Sequence, residues 1–288
     1  YVPCDAHDRM TGTEKTLHNE QDIANLIRGA IGDRPIVIKP DAGTRGRMVR
    51  LVKNPTELAE LLDETEPSPI NPVGFVAQEF IDKWFFDLRI LIAKKRGRGP
   101  YCYPSALARA GFKDFRTNTY LGNMVFGVKL PSRVCEMAVQ CGQAIAQDKE
   151  AWVLALDAML DIAGDKFVDD EYIKEQLERL TESFGVVKRI KRQKGRITNF
   201  ARWNRLLESA YRDYTTVDAY GNLKQIIQES VERSQNNILF HEANACPEFW
   251  EQTRLIGGVN LAVPLLECAK SIIDGSSSFV SQLNTAHA

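Results

Sequence analysis

The chain has 288 residues, 44% hydrophobic and 26% charged, with a formal net charge of −1. That length suits one large or two smaller domains with ample core, and the composition is that of an ordinary globular protein. The near-zero charge gives no global attraction to nucleic acid or membrane, and no apolar run reaches the roughly 18 residues of a membrane span.

In chain order, residues 1–20 are polar and irregular, and 21–30 read as a short helix ending at Gly29. Residues 36–38 and 48–52 read as β strands. Their link, Asp41 to Arg47, holds Gly43, Thr44, Arg45 and Gly46. Glycines there let backbone N–H groups turn toward an anion, and Lys39, at a strand end, can reach a phosphate oxygen. The same pattern alone also describes a hairpin with a solvated basic tip. Asn54 caps a helix that has Pro55 in its first turn. A strand from about 73 then carries Gln78 and Glu79, followed by Phe80 and Ile81. Strands at 86–94 and about 101–109, a helix at 132–147, strands at 152–160 and 237–243 and a helix at about 259–273 complete the regular structure. The Gly/Ser-rich 274–288 is expected to be a flexible tail.

Two short apolar runs carry oxygen ligands. Asp157 lies in Ala-Leu-Asp-Ala-Met-Leu, and Glu242 and Asn244 in Phe-His-Glu-Ala-Asn. Residues two apart on a strand share a face. Two carboxylates and an amide oxygen are hard donors, of the kind Mg²⁺ takes when it also binds nucleotide phosphates.

Between Asp157 and Glu242 lie 85 residues of separation, in which about 163–236 read as a three-helix insertion. Ile173, Leu177, Leu180 and Phe184 stripe the first helix, Trp203, Leu207 and Tyr211 the second, and Leu223, Ile226, Ile227 and Val231 the third. From Val186 to Leu207 there are eight Lys or Arg residues and no acidic one. A solvated surface or a binding face for acidic peptide or nucleic acid, over Lys188 to Arg205, both fit that run. A helical appendage with this segment at the solvent or the mouth of a cleft is the expectation. The six cysteines are scattered without a Cys-x-x-Cys pair. That argues against zinc and suits a reducing, cytoplasmic compartment. Tyr1 in place of Met suggests a fragment lacking an N-terminal part.

Taken together, the Lys-Pro strand with its glycine loop, Val-Ala-Gln-Glu-Phe-Ile, Phe-Asp-Leu-Arg, Phe115-Arg-Thr-Asn, Asp157 and Glu-Ala-Asn occur in an order that resembles the ATP-grasp superfamily. The chain looks most like carboxylate–amine ligases of the ribosomal-protein-S6 glutamate ligase group. Gly-Thr-Arg-Gly-Arg, Phe-Asp-Leu-Arg and Ala106-Leu-Ala-Arg are similar to tubulin–tyrosine-ligase-like enzymes.

The resemblance implies an α+β ATP-grasp fold of two lobes closing on ATP. It implies a linker at 1–34, a small lobe at 35–82, and a large lobe at 83–273 that includes the insertion 163–236. It places Lys39 on the α- or β-phosphate and the backbone of residues 43–46 over the phosphates. Gln78, Glu79, Phe80 and Ile81 fall at the adenine and ribose. Asp157, Glu242 and Asn244 would hold Mg²⁺, or Mn²⁺ in its place. Arg116 and Asn118 match residues beside the γ-phosphate, and Arg109 a residue near the acyl phosphate or acceptor carboxylate. Asp87 matches a position beside the nucleotide, whereas Arg89 also suits a purely structural pairing with a carboxylate.

Three departures stand out. Arg47-Met48 replace a usual glycine, Glu248 follows Pro247 where glycine is common, and the family's N-terminal lobe is missing. The function implied is amide formation through an acyl phosphate, from a small-molecule or peptide substrate with a carboxylate and an amine. A nucleotide- or nucleic-acid-binding module with a vestigial site and an ATP-grasp kinase are the alternatives.

Overall fold

A computed structural model describes residues 2–3, 27–29, 32, 34–40, 48–63, 74–117, 122–162, 164–193, 199–245, 247–248, 250–270 and 273. The chain divides into two compact units, Tyr1–Ile81 and Asp82–Ala288.

The first unit holds β1 (Val2–Pro3), β2 (Ile36–Pro40), β3 (Arg50–Val52), α1 (Pro55–Asp63) and β4 (Gly74–Glu79). Its antiparallel sheet runs β1-β4-β2-β3. Alternation decides which face is buried: Ile36 and Ile38 join Ile27, Val52 and Leu58 in a small core, while Val37 and Lys39 lie half-buried on the other face. Asn54 caps α1 as expected, its Oδ1 accepting from Glu57 N at 3.0 Å, while Glu57 Oε2 accepts from Lys53 N at 2.8 Å. Met48 adopts a left-handed backbone at φ 58°. A residue with a side chain thus takes a backbone conformation that favours glycine.

The second unit is built on β5 (Phe86–Lys94), β6 (Tyr101–Cys102), β7 (Ser105–Ala110), β8 (Met124–Lys129), β9 (Trp152–Leu160) and β10 (Ile238–Asn244). The sheet is antiparallel in the order β10-β9-β5-β7-β8, with β6 also on β5. The expected strand at 101–109 is two pieces, because Pro104 has no N–H to give the ladder. The helices are α2 (Ser132–Ala146), α3 (Asp170–Arg179), α4 (Thr181–Arg192), α5 (Phe200–Thr215), α6 (Asp218–Arg233) and α7 (Gln252–Leu255). A further helix covers 262–270, starting later than the sequence pattern suggests.

The insertion differs from expectation twice. It has four helices among the described residues, since the stripe from Ile173 to Phe184 breaks at Leu180 into α3 and α4. It is also part of the body rather than an appendage. Trp203, Leu207, Tyr211, Tyr214, Leu223 and Ile227 share one core with Leu88, Ile90, Phe126 and Leu156 of the sheet. Phe126 stacks on Tyr220 at 5.1 Å, and Tyr214 Oη donates to Val125 O at 3.0 Å. Along strand β8, Gln228 of α6 receives a bond from Lys129 N at 2.8 Å and donates to Lys129 O at 3.1 Å. A side-chain amide thereby covers part of the sheet edge that would otherwise be open to pairing.

Candidate active site

The antiparallel register assembles the site. Arg89 of β5 lies opposite Asp157 of β9, and Asp157 lies opposite Glu242 of β10. Directly opposed residues point to the same face, and Asn244, two further along, joins them. A register shift between Phe240 and Glu242 inserts His241, so that Glu242 comes level with Asp157. One row before, Asp87 lies opposite Arg109 of β7.

Side chains fill in this pattern. Arg109 makes a two-pronged contact with Asp87 at 2.7 and 2.8 Å, and its Nη2 also lies 3.1 Å from Asp157 Oδ2. Arg89 takes both Asp157 oxygens at 2.8 Å. Asp157 is buried, and burial alone would raise its carboxyl pKa. Arg109 and the Arg89 bonds outweigh that and hold it at about 2. The Arg109 guanidinium is itself pushed up, because Asp87 and Asp157 more than offset its own desolvation.

Of the two roles open to Arg89, the geometry shows the pairing with a carboxylate. Arg109, matched by resemblance to a position near the acyl phosphate or acceptor, spends its donors on the same two aspartates. Glu242 is exposed at the end of the row, and Asn244 is half-buried with an Nδ2 that has no hydrogen-bond partner.

Arg116 lies on the link between β7 and β8. Its Nε and Nη2 bond Asp114 at 2.9 and 2.5 Å, and its backbone N–H reaches the same carboxylate at 2.9 Å. In this conformation the charge of Arg116 is shared with Asp114, whose pKa it lowers. Sequence reasoning missed two members of the cluster. Lys83 is buried, with Nζ 2.5 Å from Thr117 Oγ1 and 3.8 Å from Asp87 Oδ2, and the Thr117 hydroxyl donates to Asp87. Thr117 sits inside the Phe-Arg-Thr-Asn motif and was readable there. Lys83 follows Asp82 in what looks like a solvated turn, and nothing local marks it as buried.

In the first unit, Lys39 stands on β2 opposite Val76, and Gln78 and Glu79 on β4 oppose Val37 and Ile36. Glu79 pairs with Arg34, and Phe80 N donates to Pro35 O at 2.9 Å. Ile81 is half-buried. Gly43, Thr44, Arg45, Gly46 and Asn118 lie outside the described residues.

The antiparallel sheet thus carries two carboxylates and an amide, all hard oxygen donors, on one face of two neighbouring strands. Residues 9–199 match the model of the RimK-like ATP-grasp domain, and the chain belongs to that family. The ATP-grasp family binds ATP and a divalent cation. Residues 129 in length align with coenzyme gamma-F420-2:alpha-L-glutamate ligase of Methanocaldococcus jannaschii at 32% identity, covering 43% of this chain and 39% of that protein. Over 137 residues the chain is 28% identical to alpha-aminoadipate–LysW ligase LysX of Saccharolobus solfataricus, 47% of this chain and 46% of that one. The match therefore spans less than half of either relative. The family match begins ahead of the residue 35 at which the resemblance was placed, and it stops before Glu242 and Asn244, inside the insertion. Among the described residues no helix is long and apolar enough to cross a membrane.

Proposed function

We propose that the chain acts as an ATP-dependent carboxylate–amine ligase that forms an amide through an acyl phosphate, releasing ADP and phosphate. The observation that carries this reading is the register that sets Asp157, Glu242 and Asn244 on one sheet face beside a lattice of arginines.

The donor set fits a divalent cation, Mg²⁺ or Mn²⁺. Among the described residues no three His, Cys, Asp or Glu side chains gather to hold a metal by themselves. That suits an ion that takes much of its shell from phosphate and water. Glu242 and Asn244 would be its ligands, with Asp157 beside them. Asn244 would meet the ion through its Oδ1, while its unpartnered Nδ2 is a donor suited to a phosphate oxygen. When bound, the ion neutralises the phosphate oxygens as charge moves during transfer.

The chain's own groups do the rest. Lys39 and the 43–46 backbone hold phosphates, Gln78, Glu79, Phe80 and Ile81 the base and ribose, and Asp87 keeps Arg109 in place. Arg116, with Asn118, meets the transferring phosphoryl group, exchanging Asp114 for it. Arg109 sets the position of Asp157. The two relatives are named as ligases that use an amino acid, so an amino acid or peptide is the proposed substrate class.

Of the basic segment, Lys188 and Lys191 are already committed, to Gly122 O at 3.0 Å and to Glu251 at 2.6 Å. Among the described residues of the segment, exposed Arg189, Arg192, Arg202 and Arg205 remain to attract an acidic peptide, with nucleic acid as the second candidate. ATP turnover measured against a panel of amino acids and acidic peptides tests the reading. Amide formation coupled to ADP supports it, a stable phosphorylated product points to a kinase, and nucleotide binding without turnover points to a binding module.

A further inference from the structure

Lys83 poses a problem of charge. Asp87 needs nothing from it, since both Asp87 oxygens are already met by Arg109 at 2.7 and 2.8 Å. Asp157 is satisfied by Arg89 and Arg109, and Asp114 by Arg116. Among the described residues, Lys83 is the cation of this cluster that has no carboxylate oxygen within hydrogen-bond distance, Asp87 Oδ2 lying 3.8 Å from its Nζ. Burial lowers its pKa to about 8, only partly opposed by Asp87. A buried ammonium without a close carboxylate costs stability, and replacing it by an apolar side chain of similar length is often neutral or stabilising. Its use lies elsewhere.

What Lys83 does hold is the loop that carries Arg116. Thr117 accepts from Lys83 and donates to Asp87, which uses the hydroxyl's two abilities at once. The loop is pinned at further points. Gly111 N donates to Phe85 O at 2.8 Å, and Asn123 Nδ2 donates to Arg116 O at 2.9 Å. The Asn123 amide lies so close over Gly111 that a Cβ there would come within 2.1 Å of its Oδ1.

Both flanks of this arrangement are gripped by the insertion. Trp84, next to Lys83, has a left-handed backbone at φ 63°, a strained state for a bulky residue. Its indole Nε1 donates to Asp170 Oδ1 at 2.6 Å, at the start of α3, and its ring packs edge-on against Phe167 at 5.7 Å. At the far side, Lys188 of α4 donates to Gly122 O at 3.0 Å.

We propose that Lys83 is a positioning residue which, through Thr117, fixes the loop bearing Arg116 for phosphoryl transfer, and that the helical insertion serves to hold the turn presenting Lys83. This rests on the ligase reading above for its kinetic part and on the fold alone for its positional part.

The test compares the full chain with Lys83→Met and with Thr117→Val. Lys83→Met keeps its melting temperature within about 5 °C of the parent, because a buried charge is lost without a cavity. Hydrogen exchange of peptides covering 111–117 quickens by about tenfold or more, while peptides of Trp152–Leu160 are unchanged. In turnover, kcat falls by about tenfold or more with KM for ATP within about threefold, and adding Lys83→Met to Arg116→Ala costs no more than Arg116→Ala alone. Thr117→Val reproduces the pattern and serves should Lys83→Met fail to fold. Loop exchange unchanged in both variants overturns the proposal, and so do losses that multiply with Arg116→Ala. Should the parent show no ATP turnover with any acceptor, the ligase reading falls, and the exchange data still decide whether Lys83 anchors the loop.

Discussion

Asp157 carries a carboxyl group held near pH 2 against an ordinary value of 3.8, by Arg109 and Arg89 working against burial. A folded pKa below the unfolded one stabilises the fold above the unfolded value and loses that contribution as pH falls through the folded one. The window here is roughly pH 4 down to 2, and the contribution about 2 kcal/mol. Asp157→Asn leaves two guanidiniums facing a neutral group and is expected to cost about 3 kcal/mol at pH 7. Urea unfolding of parent and variant should show that gap narrowing as pH is lowered from 4 to 2. A gap independent of pH would remove the ion-pair explanation. Met48→Gly should stabilise by about 0.5–1 kcal/mol, since glycine adopts the φ of 58° without steric cost. A lower denaturation midpoint would mean the Met48 side chain matters more than its backbone. At this scale the sequence was legible where alternation did the work. Asp157, Glu242 and Asn244 share a face because strands have period two, and Asp-x-Arg placed Arg89 within reach of a carboxylate. Lys83 was not legible, because its burial comes from Thr117 and Asp87, which only the folded register brings near it.

Among the elements, β8 is the strand the sequence reading passed over. Its Gly127 weakens the strand pattern, yet glycine is required there: a Cβ would fall 2.2 Å from the Ile256 carbonyl oxygen. Gly127→Ala is expected to destabilise by about 1–3 kcal/mol through displacement of the backbone around Ile256. Thermal unfolding would detect it, and an unchanged midpoint would contradict this packing. The break between α3 and α4 was equally hidden, because Leu180 and Phe184 stay buried on both sides of it and neither Pro nor Gly marks the junction. The apolar stripes were readable, but whether the insertion stood apart was not. Its apolar faces are the same whether they pack on each other or on the sheet, and contacts such as those of Phe126 with Tyr214 and Tyr220 show the latter. Reversing Arg189 and Arg192 to Glu should weaken an acidic peptide substrate in a salt-dependent way and leave ATP affinity intact. Equal substrate affinity at low salt would reduce that surface to a solvated one.

For the molecule as a whole, the order of six weak motifs revealed the family, and the matched domain model agrees with it. What the order of motifs left open is the chemistry of the transferred group. Arg116, assigned to the γ-phosphoryl group, makes the mechanism specific: Arg116→Ala should lower kcat by about 10²–10³ with a smaller effect on nucleotide affinity. The most direct measurement uses a carboxylate substrate labelled with ¹⁸O, once a turnover-competent substrate pair is found. In acyl-phosphate ligation one carboxylate oxygen attacks the γ-phosphorus, ADP leaves, and the amine then expels phosphate that retains this oxygen. The account predicts ¹⁸O in inorganic phosphate, with ADP and amide formed in equal amounts. Label appearing in AMP, with pyrophosphate released, would contradict it.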